Sequence, residues 1–219
     1  LKECGIEKNV ITMVTMVEVE KDDPAFKNPS KRIGKIYNKK EADLLSKSKN
    51  WMFKTTTKFS EDYRRVVPSP APLSIINKEI IELLVKNGNI VIATGGGGIP
   101  VYYDEKKNIR TLDAVIDKDM ASSLLAANIH ADELYILSNV PYIFKDYGLP
   151  TQSKLEFLDY SDTKNYLERG TFAEGTMEPK IKACLNFIES GGKKCVITEA
   201  KKLEDKTYGS KITMIYEDE

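Results

Sequence analysis

Three places in this 219-residue sequence combine glycine, lysine and aspartate in ways that suit a phosphoryl group. The first is Gly95-Gly96-Gly97-Gly98, directly after the apolar run Asn89 to Thr94. Glycine has no Cβ and takes positive φ freely, so such a run lets backbone N–H groups come close to an anion. A plain flexible turn is the alternative, but four glycines would weaken the fold through backbone entropy without a packing return, which favours binding. The second is Asp117-Lys118-Asp119, which follows Ala114-Val115-Ile116 and opens a helix. Asp117 has an ordinary explanation as an N-cap. Lys118 does not, because a cation at the positive end of a helix is unfavourable unless an anion or flanking carboxylates hold it. The third is Lys180, which follows Gly175-Thr176-Met177-Glu178-Pro179 and again stands at a helix start behind a glycine.

Two lysines at helix N-termini and a glycine cradle suit phosphoryl transfer, which needs alignment and charge neutralisation more than covalent help. The two familiar nucleotide motifs are absent. No G-x-x-x-x-G-K-[ST] occurs, and Ile99-Pro100-Val101 continues as strand where a dinucleotide fingerprint would open a helix. His130, the single histidine, falls at a helix end where it suits the C-terminal dipole, and Trp51 with Met52 and Phe53 reads as core.

The elements that must position these groups are legible in outline. Val10 to Val19 reads as a strand, Asp22 to Gly34 as a loop or a small excursion from the main body, and Asn38 to Asn50 as a short helix with Asn38 and Glu41 forming a capping box. The prolines of Val66 to Pro72 mark a joint between two regions. Ser74 to Asn87 reads as a helix with Ile76, Ile80 and Leu84 on its buried face and Gly88 as its stop. Asn89 to Thr94 reads as a strand covered on both faces. Strands Ile99 to Tyr103, Leu134 to Ser138, Lys194 to Thr198 and Ile212 to Tyr216 then alternate with helices Asp117 to Ala127 and Met177 to Glu189. The expected class is α/β, a three-layer α/β/α sandwich with a mainly parallel central sheet.

Composition narrows the function further. The 33 Lys+Arg and 33 Asp+Glu cancel and are interspersed, which argues against a nucleic-acid partner. Hydrophobic residues at 41% suit a folded core, and no apolar run reaches the ~18 residues of a membrane helix, so no membrane partner is expected. The three cysteines, Cys4, Cys184 and Cys195, lack C-x-x-C spacing and suggest neither a disulfide framework nor a zinc site, which fits a reducing cytosol.

Taken in order, the segments DPAF (23–26), NPSKRIG (28–34), YRRVVPSP (63–70), GGGGIPV (95–101), AVIDKD (114–119) and FAEGTMEPK (172–180) resemble the carbamate kinases of the amino-acid kinase superfamily. The resemblance implies reversible phosphoryl transfer between ATP and carbamate, run toward ATP from ADP and carbamoyl phosphate, with Mg2+, a homodimer and a cytoplasmic place in arginine fermentation. It implies that Lys118 and Lys180 neutralise the transferring group and that Asp119 orients them. Gly95, Gly96, Gly97, Asp117 and Gly175 would surround the phosphates, and Lys31 would reach over the carbamoyl phosphate. Tyr142, Phe144 and Met177 would form the adenine pocket, with no protein ligand set for a metal. It divides the chain into residues 1–65, the remainder of a carbamate-binding lobe with a protruding subdomain at about 22–63, and a nucleotide-binding lobe at 66–219. The family's Gly-Gly-Asn-Ala loop is absent, which implies some 90 to 100 further residues upstream of Leu1. An Asp expected near Pro141 is absent, and Glu178 places a negative charge beside the lysine turn. Two other readings compete: a truncated, non-catalytic nucleotide-binding relative, and a different amino-acid kinase.

Overall fold

The computed structural model describes residues 2–56, 60–172 and 175–215. Ala173 and Glu174 of the FAEGTMEPK segment, and Tyr216 of the expected last strand, lie outside them. The chain is α/β, with five α-helices among the described residues: α1 Lys39–Lys49, α2 Lys78–Lys86, α3 Lys118–Asn128, α4 Tyr160–Glu168 and α5 Glu178–Glu189.

The expected strand at 10–19 is two strands, Val10–Thr12 and Met16–Val19. The first pairs in parallel with Ile90–Ile92, the second with Ile99–Tyr103, so both partners are interrupted side by side. Thr15 stitches the two breaks together: its hydroxyl accepts from the Thr94 amide at 2.9 Å, and its carbonyl accepts from Ile99 N–H at 2.9 Å. Pro72–Ile75 and Ile109–Thr111 complete this sheet as antiparallel edges, with Pro72 on an outer strand, where proline is tolerated. A second four-stranded sheet orders Glu133–Ser138, Lys194–Glu199, Ser210–Thr213 and Phe157–Asp159, parallel in its outer pairs and antiparallel in the middle. Strand pairing across the molecule is therefore mixed.

Helix boundaries follow local chemistry. The Asn38 side chain accepts from Glu41 N–H while Glu41 accepts from Asn38 N–H, the expected capping box, and Asn50 closes α1 at φ 53°. The Asp117 carboxylate accepts from the Asp119 and Met120 amides and starts α3. In contrast α2 begins four residues later than expected, because Ser74 and Ile75 are drawn into an edge strand. Its buried face is then set by Ile81, while Ile80 faces solvent. Of the two readings of 22–34, the loop fails at its end, where Lys31–Tyr37 is a strand: with Met52–Thr55 and Tyr63–Val67 it forms a separate three-stranded sheet carrying α1. Ile90–Ile92 is exposed along one face rather than covered on both.

The larger core gathers Phe187, Ile181, Ile188, Ile197, Ile212 and Ile143 between α5 and the 133–213 sheet. A smaller one joins Val17, Val19, Ile75, Ile81 and Ile116 to the α3 side chains Ala121 and Leu125. Cys184 and Cys195, for which no disulfide was expected, are paired in one, both fully buried with Cα atoms 5.4 Å apart. The reason is packing: the last turns of α5 fold back on the strand that follows, so residues 11 apart in sequence face each other across the helix–strand contact.

Candidate active site

The N-termini of α3 and α5 meet, and with them the charged residues singled out from the sequence. Asp119 sits between two ammonium groups, Lys118 Nζ at 2.6 Å and Lys180 Nζ at 2.9 Å, one on each carboxylate oxygen. Lys180 and Asp119 are largely enclosed, whereas Lys118 is half exposed. Asp117, already holding two amides, also pairs with Lys31, which the first strand of the three-stranded sheet delivers from 86 residues away. Burial works against the Asp117 carboxylate, but Lys31 and the two amides outweigh it and hold its pKa below the usual 3.8. Burial likewise disfavours charge on Lys118, and its contact with Asp119 more than offsets this, raising it above the usual 10.5. Three ammonium groups against two carboxylates leave an excess positive charge at two helix N-termini, a place suited to an anion.

The glycine loop lies against this cluster. A Cβ on Gly97 would stand 2.2 Å from the Ile116 carbonyl oxygen, and one on Gly98 2.5 Å from Val17 Cγ2. These two glycines therefore have the packing return that the sequence did not reveal: Gly97 lets the loop press onto the residue just before Asp117, and Gly98 lets it press onto the strand at Thr15 and Val17. Gly95 and Gly96 have open space at the same position. The Gly95 and Gly97 amides donate within the loop, to Ala93 and Thr94 carbonyls at 2.7 Å. Among the described residues the Gly96 and Gly98 amides have no acceptor, which leaves them able to bind one. Thr94 precedes the loop at φ 57°, a strained setting for a β-branched residue that costs about 1–3 kcal/mol.

A cavity of about 320 Å3 opens beside Lys180, lined by Ser138, Asn139, Val140, Phe144, Tyr147, Phe172, Thr176, Met177 and Lys180. It lies past the carboxyl end of Glu133–Ser138, where open α/β sheets bind ligands. Phe144 and Met177 are in its wall. Tyr142 is not among the lining residues; it packs edge-on against Phe144 at 6.5 Å and at a tilt against Tyr208 at 5.0 Å. At Gly175, φ is 75° and the Arg32 guanidinium stands 3.1 Å from where its Cβ would be. Glu178 pairs with Lys182 at 2.6 Å, one turn along α5, which draws its charge onto the helix. Ser138 and Asn139 belong to the segment where an Asp was expected near Pro141, whereas Tyr147 and Thr176 were not named as site residues from the sequence.

Residues 30–199 match the amino acid kinase family. Carbamate kinase of Staphylococcus epidermidis is 44% identical over 216 residues, covering 98% of this chain and 69% of that protein. The chain belongs to the carbamate kinases of the amino acid kinase family. Carbamate kinase of Thermoplasma acidophilum is 43% identical, over 96% of this chain and 68% of its own length. Among solved structures, Giardia lamblia carbamate kinase bound to AMP-PNP superimposes with a TM-score of 0.81 at 36% identity, over 97% of this chain and 67% of that one. The same enzyme bound to citric acid gives 0.85, over 94% and 65%. As a carbamate kinase relative the chain is a phosphotransferase of α/β fold, and a nucleotide is the ligand its relatives would lead one to seek in the cavity. Among the described residues no helix is long and apolar enough to cross a membrane.

Proposed function

We propose that the chain catalyses phosphoryl transfer between carbamoyl phosphate and ADP, with the base in the 320 Å3 cavity and the transferring group over Asp119 and its lysines. The observation that carries this reading is the double role of Lys180, which lines the cavity and also shares Asp119 with Lys118. A nucleotide lying in the cavity would thus present its terminal phosphate to the charge cluster. During transfer the bond from phosphorus to the carbamate oxygen breaks, carbamate leaves with the electron pair, and an ADP oxygen takes its place. Charge spread over the equatorial oxygens meets Lys118 and Lys180, which Asp119 holds at fixed positions, so little reorganisation is needed. The free amide at Gly96, flanked by Gly95 and Gly97, adds a donor, and the α3 N-terminus adds its dipole. Lys31, tethered to Asp117, is placed to reach the carbamoyl phosphate from the three-stranded sheet.

Magnesium belongs to the proposal as the nucleotide's counter-ion. Asp117 and Asp119 are both committed to lysines, and no group of three or more metal-binding side chains occurs among the described residues. Those residues fit a metal that enters on phosphate oxygens and keeps its waters, as Mg2+ commonly does. The family resemblance supports the remaining parts of the reading: a homodimer in the cytoplasm, the arginine pathway, and lobes dividing near residue 66.

The test is ATP formation from ADP and carbamoyl phosphate with Mg2+. It uses the 219-residue chain and, in parallel, a version lengthened at its N-terminus by the third of their length that the relatives have beyond the match. Turnover in either supports the proposal. ADP binding without turnover in both would favour the non-catalytic nucleotide-binding relative, and turnover only with another acyl phosphate would favour a different amino acid kinase.

A further inference from the structure

We propose that Ser210, which does not line the cavity, is a positioning residue for nucleotide-base recognition. Its side chain is fully buried and its hydroxyl is used twice. It accepts from the Ile143 amide at 2.7 Å and donates to the Leu155 carbonyl. Ile143 and Leu155 are directly opposite each other in the antiparallel pair Ile143–Lys145 and Ser153–Leu155. That pair is a separate two-stranded ribbon, and the Ser210 hydroxyl is a bridge between its inner end and the strand Ser210–Thr213 of the main sheet. The ribbon carries Phe144 next to the clamped amide, and Tyr147 three residues further on, past Asp146 at φ 54°. Phe144 and Tyr147 rings lie 5.9 Å apart and form the aromatic wall of the cavity.

A two-stranded ribbon is marginal by itself, so its angle to the main sheet depends on what anchors it. Here the anchors are the buried Ile143 side chain, the Lys211 amide on the Glu156 carbonyl at 2.8 Å just past the ribbon, and this hydroxyl, which ties both strands of the ribbon at once. Removing the hydroxyl leaves a buried N–H and a buried C=O without their partner, which the chain relieves by moving the ribbon toward water. The aromatic wall moves with it. Lys180, Lys118 and Asp119 are on helices anchored elsewhere and stay in place. The consequence is selective: base affinity falls while phosphate handling does not.

This inference rests on the nucleotide reading of the cavity, and its test separates the two. ADP and inorganic tripolyphosphate binding to the 219-residue chain are measured by calorimetry for the parent, Ser210→Ala, Ser210→Thr and Phe144→Ala. Exchange of the Ile143 amide is followed in the parent and the Ser210 variants. The expected result is about a tenfold loss of ADP affinity in Ser210→Ala, unchanged tripolyphosphate affinity, faster Ile143 exchange, and recovery in Ser210→Thr, which keeps the hydroxyl. If Phe144→Ala weakens ADP and Ser210→Ala leaves it within twofold, the positioning role is overturned and the cavity reading stands. If neither variant affects ADP while Lys180→Ala does, the base lies elsewhere and both readings fall. Equal loss for ADP and tripolyphosphate in Ser210→Ala would mean a general structural role and would also overturn the proposal.

Discussion

The two cores of this chain are built differently. Around α5, Phe187, Ile181, Ile188, Ile197 and Ile212 are fully buried, with helices on the sheet and a disulfide tying helix to strand. In the other region the strands Val10–Thr12 and Ile90–Ile92 pair only with each other, and Val10, Val14, Leu83 and Ile92 remain largely exposed. The charged cluster spans that line. Lys180 stands on the well-packed side and shares Asp119 with α3, whereas Lys31 arrives from the three-stranded sheet and is held to the site by its pair with Asp117. The difference teaches that the charge geometry is built where the two cores meet, through the contact of α3 with α5, while the position of Lys31 depends on how the three-stranded sheet is held.

The contrast is broken most directly through the core. Phe187→Ala should destabilise the chain by about 3–5 kcal/mol, since the side chain is fully buried beneath α5 and Gly192 is moulded around its ring. Urea unfolding measures this, and a loss below about 1 kcal/mol would mean that this half is looser than its packing implies. Next in size, Lys180→Ala should lower ATP formation by on the order of 10² to 10³-fold, because it removes transition-state charge stabilisation and a cavity wall together. Circular dichroism should show the fold intact. Retention of full kcat would remove Lys180 from the mechanism.

The Lys31 to Asp117 contact sharpens the comparison because it joins the halves. Asp117→Asn keeps the N-cap but loses the ion pair, so the expected cost is on the order of 1 kcal/mol. Its sign with pH follows from the depressed carboxyl: the contribution is fully present above the usual 3.8 and is lost as pH falls through the lowered value. Stability curves of parent and variant should therefore run parallel near neutrality and converge in strong acid. Convergence at neutral pH would contradict the pairing.

How much of this was legible in the sequence depended on whether the signal was local. The N-caps of α1 and α3 and Pro179 at the start of α5 lie within one turn of what they control, and those helices appear where expected. Met52–Thr55 and Tyr63–Val67 pair with each other over a short sequence separation, and were missed because neither alternates cleanly; the strand that completes their sheet, Lys31–Tyr37, lies on the far side of α1 in the chain. Ile80 was assigned inward because three spaced apolar residues were counted without knowing that Ser74 and Ile75 belong to a strand. Lys118, Asp119 and Lys180 could be named from helix electrostatics, but their sharing of one carboxylate needed the contact between α3 and α5. The disulfide and the need for glycine at 97 and 98 are facts of close approach between separate elements, which spacing along the chain does not encode.

The smallest expected effect lies on the open side. Ile92 is 51% exposed, so replacing it with serine removes little side-chain burial, and the change should stay within about 0.5 kcal/mol. The same isoleucine-to-small change at Ile197, fully buried, should cost about 2–5 kcal/mol as Ile197→Ala. Measured in one urea series, the pair converts the structural contrast into a ratio. A cost above 2 kcal/mol for Ile92→Ser would mean that this face is covered in solution. Dependence of that cost on protein concentration would identify the cover as a second copy of the chain, since only association makes apparent stability follow concentration.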